Sequence, residues 1–300
     1  MKNKFVDIGS ITEVHRFYKY GKPKHPLISV IDLTQTQVDR PDEEVSYRTS
    51  FYILMCKKIT GTLKYGRSYY DFEEGSLMFT APGQVITSGP EMEIEEGWGL
   101  FVHPDLLAGT DLGRKIREYS FFHYEANEAL HVSEDEKQIL LDCLGKIVRE
   151  YSQNTDKHTK ELIVDNLQLL LNYCNRFYDR QFFTREKVNN DLVQRFEKLL
   201  IAYFSQETLI DKGLPDVGYF ASKLSLSSNY LSDLLSKHTG KSTQEHIHLQ
   251  LIERAKNMLW GNAKTIAEIA YELGFEYPSH FTKLFKSKTG MSPSAWQKSN

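Results

Sequence analysis

Two polar clusters in the last third of the chain carry side chains of the kind that read other molecules by hydrogen bonds. The first is Ser228, Asn229, Ser232, Asp233 and Ser236; the second is Ser279, His280, Thr282, Lys283 and Lys286. Residues spaced three and four apart share one side of a helix. Short hydroxyls, an amide and ammonium groups on such a face suit the donor and acceptor edges of base pairs, in a major groove about 12 Å wide. Asp233 is the odd member, since a carboxylate repels phosphate yet accepts from a cytosine amine. Lys286, with Arg254 outside the clusters, is the type of residue that meets backbone phosphates.

Catalytic chemistry has no comparable footing. The chain has no nucleophile elbow, phosphate-cradling glycine loop or CxxC pair. Residues 27–102 contain no histidine, so a metal site on strands there lacks its usual ligands. His246 and His248, two apart on an expected helix, point to different faces and read as solvated. No catalytic residue, metal or cofactor is expected, and the chain is not read as an enzyme.

The elements that position the clusters come from an internal repeat, in which Val217–Ser242 overlays Ile266–Ser292. Ala221 meets Ala270, Leu224 meets Leu273, Leu226 meets Phe275, Leu231 meets Phe281, Leu235 meets Phe285 and Gly240 meets Gly290. Each copy reads as a helix-turn-helix: a short helix whose alanine allows close approach, a tight turn, and a second helix with an apolar inner face. Ser242–Glu245 and Thr265–Glu268 match capping boxes. Pro278 suits a first helical position, Gly240 and Gly290 suit left-handed C-caps, and Gly274 suits a positive φ. Between the copies, Thr243–Trp260 reads as one amphipathic helix of roughly 27 Å. That is near the roughly 34 Å between successive major grooves on one DNA face.

Ile266-Ala-Glu-Ile-Ala, Gly274-Phe275, His280-Phe281, Phe285-Lys286, Gly290 and Ser292-Pro293 resemble the signature of AraC/XylS-type transcription regulators, over roughly Asp191–Lys298. The resemblance implies a seven-helix DNA-binding domain with two helix-turn-helix units on a linker helix, and very often an N-terminal cupin-like sensor. Gly61–Pro82 and the run from Phe101 to Leu107 resemble such a sensor. Two departures stand out: Asp233 on a recognition face, and Gly218 inside the first helix, which costs up to about 1 kcal/mol relative to alanine.

Upstream, short β-branched and aromatic segments predict strands at Leu27–Leu33, Ser50–Ile59, Gly61–Tyr65, Ser68–Phe72, Ser76–Thr80 and Trp98–Val102. Gly66-Arg67, Glu74-Gly75 and Pro82-Gly83 supply the breaks. Glu134–Tyr151 and Lys157–Tyr178 change to helical spacing, with Leu162, Val164, Leu167, Leu170, Leu171 and Cys174 as a stripe that packs inside the chain or forms a dimer seam. Gln181–Asn190 reads as a polar connector. The fold class expected is α+β: a small antiparallel β-barrel, cupin-like, over 1–130; a helical dimerisation or connector segment over 131–185; and an all-α DNA-binding domain over 191–298. Within the last, helix-turn-helix units are expected at about 217–238 and 265–288 with the linker at about 243–260. Phe51, Tyr52, Tyr65, Tyr69 and Phe79 either line an effector cavity or form core, and no ligand residue is singled out.

Charge distribution fits a sensor joined to a binder. The whole chain has net charge −3, but Val217–Asn300 carries ten Lys and Arg against six Asp and Glu, +4, leaving −7 for the rest. No stretch approaches the roughly 18 apolar residues of a membrane span, and the charged N-terminus is unlike a leader, so a cytoplasmic location is expected. Cys56, Cys143 and Cys174 read as reduced, buried thiols. The partners expected are double-stranded DNA, a second copy of the chain, RNA polymerase and a small-molecule effector, with no membrane. The competing class is a protein-interaction module that uses the same helical units without specific DNA binding; steep salt dependence separates the two.

Overall fold

A computed structural model of the chain describes residues 4–36, 45–60, 63–65, 68–70, 76–88, 93–125, 128–184, 186–205, 209, 213–260 and 264–299. The turn residues at 66–67 and 74–75 and the strand start at 61 fall outside them. The chain divides into two compact units, Met1–Thr184 and Arg185–Asn300.

In the first unit the strands are β1 (Lys4–Ile8), β2 (Ile28–Asp32), β3 (Val45–Thr49), β4 (Tyr52–Thr60), β5 (Leu63–Tyr65), β6 (Ser68–Tyr70), β7 (Ser76–Thr80), β8 (Val85–Ser88), β9 (Glu93–Val102) and β10 (Leu130–His131). They form a five-stranded antiparallel sheet in the order β10-β7-β4-β9-β2, a three-stranded sheet β1-β3-β8 and a β5-β6 hairpin. The closed antiparallel barrel expected from the sequence is not what the described strands build. β2 and β10 end the larger sheet without meeting, and β1 pairs with β3 in parallel, Asp7 facing Arg48. The register explains the two-faced packing, because directly opposed residues share a face. Ile31, Ile53 and Phe101 join Phe51 in a core with Ile11, Val14 and Tyr18 of helix α1 (Ile11–Phe17). On the other face Leu54, Leu100 and Phe79 are buried, and the Phe79 ring lies 5.9 Å from Tyr178.

That second face is covered by helices. Two short ones, α2 (Pro104–Leu107) and α3 (Asp111–Lys115), lead to α4 (Glu134–Ser152) and α5 (Thr159–Thr184), which pack on each other. A capping box between Ser133 and Glu136 starts α4, and Arg180 of α5 grips the same Glu136 at 2.7 and 3.0 Å. Val164, Leu167, Leu170, Leu171 and Cys174 of the predicted stripe are buried within the chain, whereas Leu162 stays 43% exposed. The polar connector expected at Gln181–Asn190 is instead helix on either side of 185. Its first residue is buried for a physical reason: the Gln181 amide accepts from His131 N–H at 2.8 Å and donates to the Ala129 carbonyl at 3.1 Å, satisfying backbone beside β10. All three cysteines are buried free thiols. No described helix is long and apolar enough to cross a membrane.

The second unit is helical. Seven helices are described in it: α6 (Glu186–Phe204), α7 (Val217–Leu224), α8 (Ser228–Thr239), α9 (Thr243–Trp260), α10 (Ile266–Glu272), α11 (Pro278–Thr289) and α12 (Pro293–Ser299). Its core is the apolar side of the repeat. Leu231, Leu234 and Leu235 on α8, and Phe281 and Phe285 on α11, are buried together with Ile247, Leu251, Ala255 and Leu259 of α9. Burying each such Leu or Phe contributes about 1.5–3 kcal/mol.

Candidate nucleic-acid interface

The two helix-turn-helix copies close on the same hydrogen bonds. Leu226 N–H donates to the Ala221 carbonyl at 2.9 Å in the first, and Phe275 N–H to the Ala270 carbonyl at 3.0 Å in the second. This six-to-one bond needs a left-handed residue just before its donor. Gly274 takes that place with φ +85° and Ser225 with φ +59°. Gly274 is required twice over, because a Cβ there would lie 3.0 Å from the Leu209 carbonyl oxygen and from the backbone of Gly213. The far ends match as well. Gly240 and Gly290 are left-handed C-caps, Thr239 Oγ1 donates to the Leu235 carbonyl at 2.7 Å, and Thr289 Oγ1 to that of Phe285 at 2.8 Å.

Helix starts follow the expected chemistry. Ser227 Oγ accepts from Tyr230 N–H at 3.1 Å and begins α8. Thr265 and Glu268 exchange both bonds of a capping box at α10, and Ser242 and Glu245 do the same at α9. Hydrogen bonds from the cap backbone hold the Glu245 and Glu268 carboxyls below the usual carboxylate range. Pro278 opens α11, whose preceding residue Tyr277 offers no side-chain cap.

The sequence-predicted residues are brought together on two faces, with differing freedom. Ser228 and Ser236 on α8, and Ser279, His280, Lys283 and Lys286 on α11, are exposed. Asn229, Ser232, Asp233 and Thr282 are half-buried. Ser232 Oγ is 3.2 Å from Thr243 Oγ1, so it ties α8 to α9, and Thr282 Oγ1 donates to the Pro278 carbonyl at 3.1 Å. Those two hydroxyls have first uses inside the protein. Tyr277, 54% exposed with its ring 5.5 Å from that of His280, extends the second face. The repeat did not point to it, because the second copy has an additional residue at that turn. His246 is not solvated as expected; its ring packs edge-on against Phe196 and its Nε2 sits 2.8 Å from Thr239 Oγ1. Burial keeps its pKa below the ordinary histidine value. His248 bonds to Gln244 at 2.8 Å. Among the described residues no group of three His, Cys, Asp or Glu side chains is placed to hold a metal.

Residues 220–299 match the family model of a helix-turn-helix domain. They are an AraC-type helix-turn-helix domain. Curated relatives agree along different lengths. The HTH-type transcriptional regulator YijO of Escherichia coli is 23% identical over 240 residues, covering 75% of this chain and 78% of that one. The Msm operon regulatory protein of Streptococcus mutans is 37% identical over 82 residues, 27% of this chain and 30% of its own length. The C-terminal domain of AraT, a response regulator from Geobacillus stearothermophilus, covers 36% of this chain at 25% identity with a TM-score of 0.32. The homologues of this domain are transcription regulators.

Proposed function

We propose that the chain is a sequence-specific transcription regulator. In this reading the exposed faces of α8 and α11 enter successive major grooves on one side of double-stranded DNA. The observation that carries it is the duplication itself: two helix pairs end on the same turn and cap bonds, and each turns a polar second-helix face outward. α9 joins them with 18 residues, roughly 27 Å of helix. Asn229, Ser279 and Lys283 are assigned to base edges, and Lys286 to phosphate. Residues 1–184 act as the sensor, with α4 and α5 conveying its state, and two copies of the chain occupy adjacent half-sites. Contact with RNA polymerase and a cytoplasmic location belong to the same reading.

The test is selection of bound sequences from random duplex DNA by the full chain, followed by affinity titrations over salt. Binding should weaken steeply between about 50 and 200 mM salt. Asn229→Ala and Lys283→Ala should each cost about 1–3 kcal/mol and relax preference at particular base pairs, while Lys286→Ala should weaken all sequences alike and lower the salt slope by about 1. Failure to enrich any sequence would overturn the reading.

A further inference from the structure

The first unit contains a cleft of about 790 Å³, within the range of roughly 300–1,000 Å³ usual for small-molecule sites. It runs along the outer edge of β2. On one side is the segment following α1, with Tyr20, Lys22 and Lys24; on the other is the α4 face bearing Lys137, Leu141, Val148 and Tyr151. Of the aromatic residues that the sequence offered for a cavity, Phe51, Tyr52 and Phe79 are packed core, and the side chains of Tyr65 and Tyr69 fall outside those described.

Three features mark the cleft as a site built for a ligand. The first is charge. Lys19, Lys22, Lys24 and Lys137 surround it, and Asp32 is the sole carboxylate among the described residues that line it. Asp32 is already occupied, accepting from the Thr34 N–H at 3.0 Å, the Thr34 hydroxyl at 2.6 Å and the Gln35 amide at 2.6 Å. Lys137 also lies 3.7 Å from Glu134, and Lys24 Nζ donates to Ser152 Oγ at 3.3 Å, so these two ammonium groups are held near the opening. The second feature is Trp98, which lines the cleft at 7% exposure. Its indole Nε1–H is enclosed and has no hydrogen-bond partner among the described residues. The residue supplies aromatic, largely apolar surface to the cleft, of the kind an organic ligand packs against. The third is a fixed polar wall. His15 Nδ1 is 2.6 Å from the Tyr20 carbonyl, its Nε2 is 2.8 Å from Ser29 Oγ, and Val30 N–H donates to the Tyr151 hydroxyl at 3.1 Å.

We propose that this cleft binds a small organic anion. Its acidic group sits among Lys22, Lys24 and Lys137, and its apolar or aromatic body lies against Trp98, Leu141 and Val148. The occupant bridges β2 and α4, so it alters how α4 rests on the sheet. This deepens the sensor reading given above for residues 1–184, and the ligand class comes from the cleft alone.

The experiment titrates the full chain with 8-anilinonaphthalene-1-sulfonate and with its uncharged counterpart N-phenyl-1-naphthylamine, followed by fluorescence. The sulfonate should bind once per chain. Lys22→Gln with Lys24→Gln, both at exposed positions, should weaken it at least about fivefold and leave the uncharged probe unchanged. Leu141→Trp, which fills the cleft from a residue 38% exposed, should abolish binding of both probes. Benzoate and phenyl phosphate are then used as competitors; displacement by either supports the proposal and tells carboxylate from phosphate. Unchanged sulfonate affinity in the lysine double variant overturns it, as does failure of both competitors. DNA affinity is measured on the same proteins. Absence of saturable probe binding by the unmutated chain with intact DNA binding rejects the cleft and spares the regulator, while saturable probe binding in a chain that selects no DNA does the reverse.

Discussion

Replacing glycine by alanine should have opposite effects at two positions of the helix-turn-helix repeat, Gly274 and Gly218. Gly274 has φ +85°, where an L side chain costs about 1–2 kcal/mol. Its new Cβ would also meet the Leu209 carbonyl and the Gly213 backbone at 3.0 Å, neither of them the movable tip of a side chain. Together these give roughly 2–3 kcal/mol of destabilisation. Gly290 has φ +78° and nothing within 4 Å of the added atom, so Gly290→Ala should cost only the backbone share, about 1–2 kcal/mol. Gly218 lies inside α7 without a positive φ, and its Cβ would find Asp216 at an ordinary 3.5 Å. Gly218→Ala should therefore stabilise the first copy by about 0.5–1 kcal/mol. Hydrogen exchange of the full chain, read by mass spectrometry on peptides from 217–240 and 266–290, resolves the two copies. Amides of the second should exchange about 30–150-fold faster in Gly274→Ala, and those of the first several-fold slower in Gly218→Ala. Equal costs at 274 and 290, or any loss at 218, would refute the close approach of Leu209 and Gly213 to Gly274 and the assignment of α7.

Three further outcomes follow from the caps and the thiols. Thr265→Ala should cost about 1 kcal/mol in urea unfolding. Glu268 has a folded pKa below its ordinary 4.5, so its contribution is present above that value and lost as pH falls through the lowered one; the difference between wild type and Glu268→Gln should vanish in acid. Burial pushes the Cys143 and Cys174 thiols up, so a thiol reagent at pH 8 should label them only when denaturant opens the fold; rapid labelling of the native chain would contradict their placement.

What the sequence disclosed follows from the range of the interactions. The helix starts at Ser242 and Thr265, the proline at 278 and the left-handed glycines at 240, 274 and 290 act within four residues of themselves, and each is found where the pattern places it. Ser225 was not foreseen as left-handed, because nothing in a serine announces a positive φ; the repeat with Gly274 was the available clue. Strands with period-two runs, such as Ser76–Thr80, were legible. β1, β3 and β8 were not, since parallel pairing of Lys4–Ile8 with Val45–Thr49 is a long-range event with no local signature. The strand expected at Trp98–Val102 starts earlier, at Glu93, in a stretch whose three glutamates give no strand signal. The cleft was invisible for the same reason: Lys22, Trp98, Lys137 and Tyr151 come from segments far apart in sequence.

The Tyr151 hydroxyl that receives the Val30 amide has a consequence for solubility. β2 is the outermost strand of its sheet, and a bare amide there is a template on which a foreign strand can add. One phenol from a neighbouring helix blocks that growth, so removing a single oxygen, as Tyr151→Phe does, would expose an adhesive border and favour self-association of otherwise folded molecules.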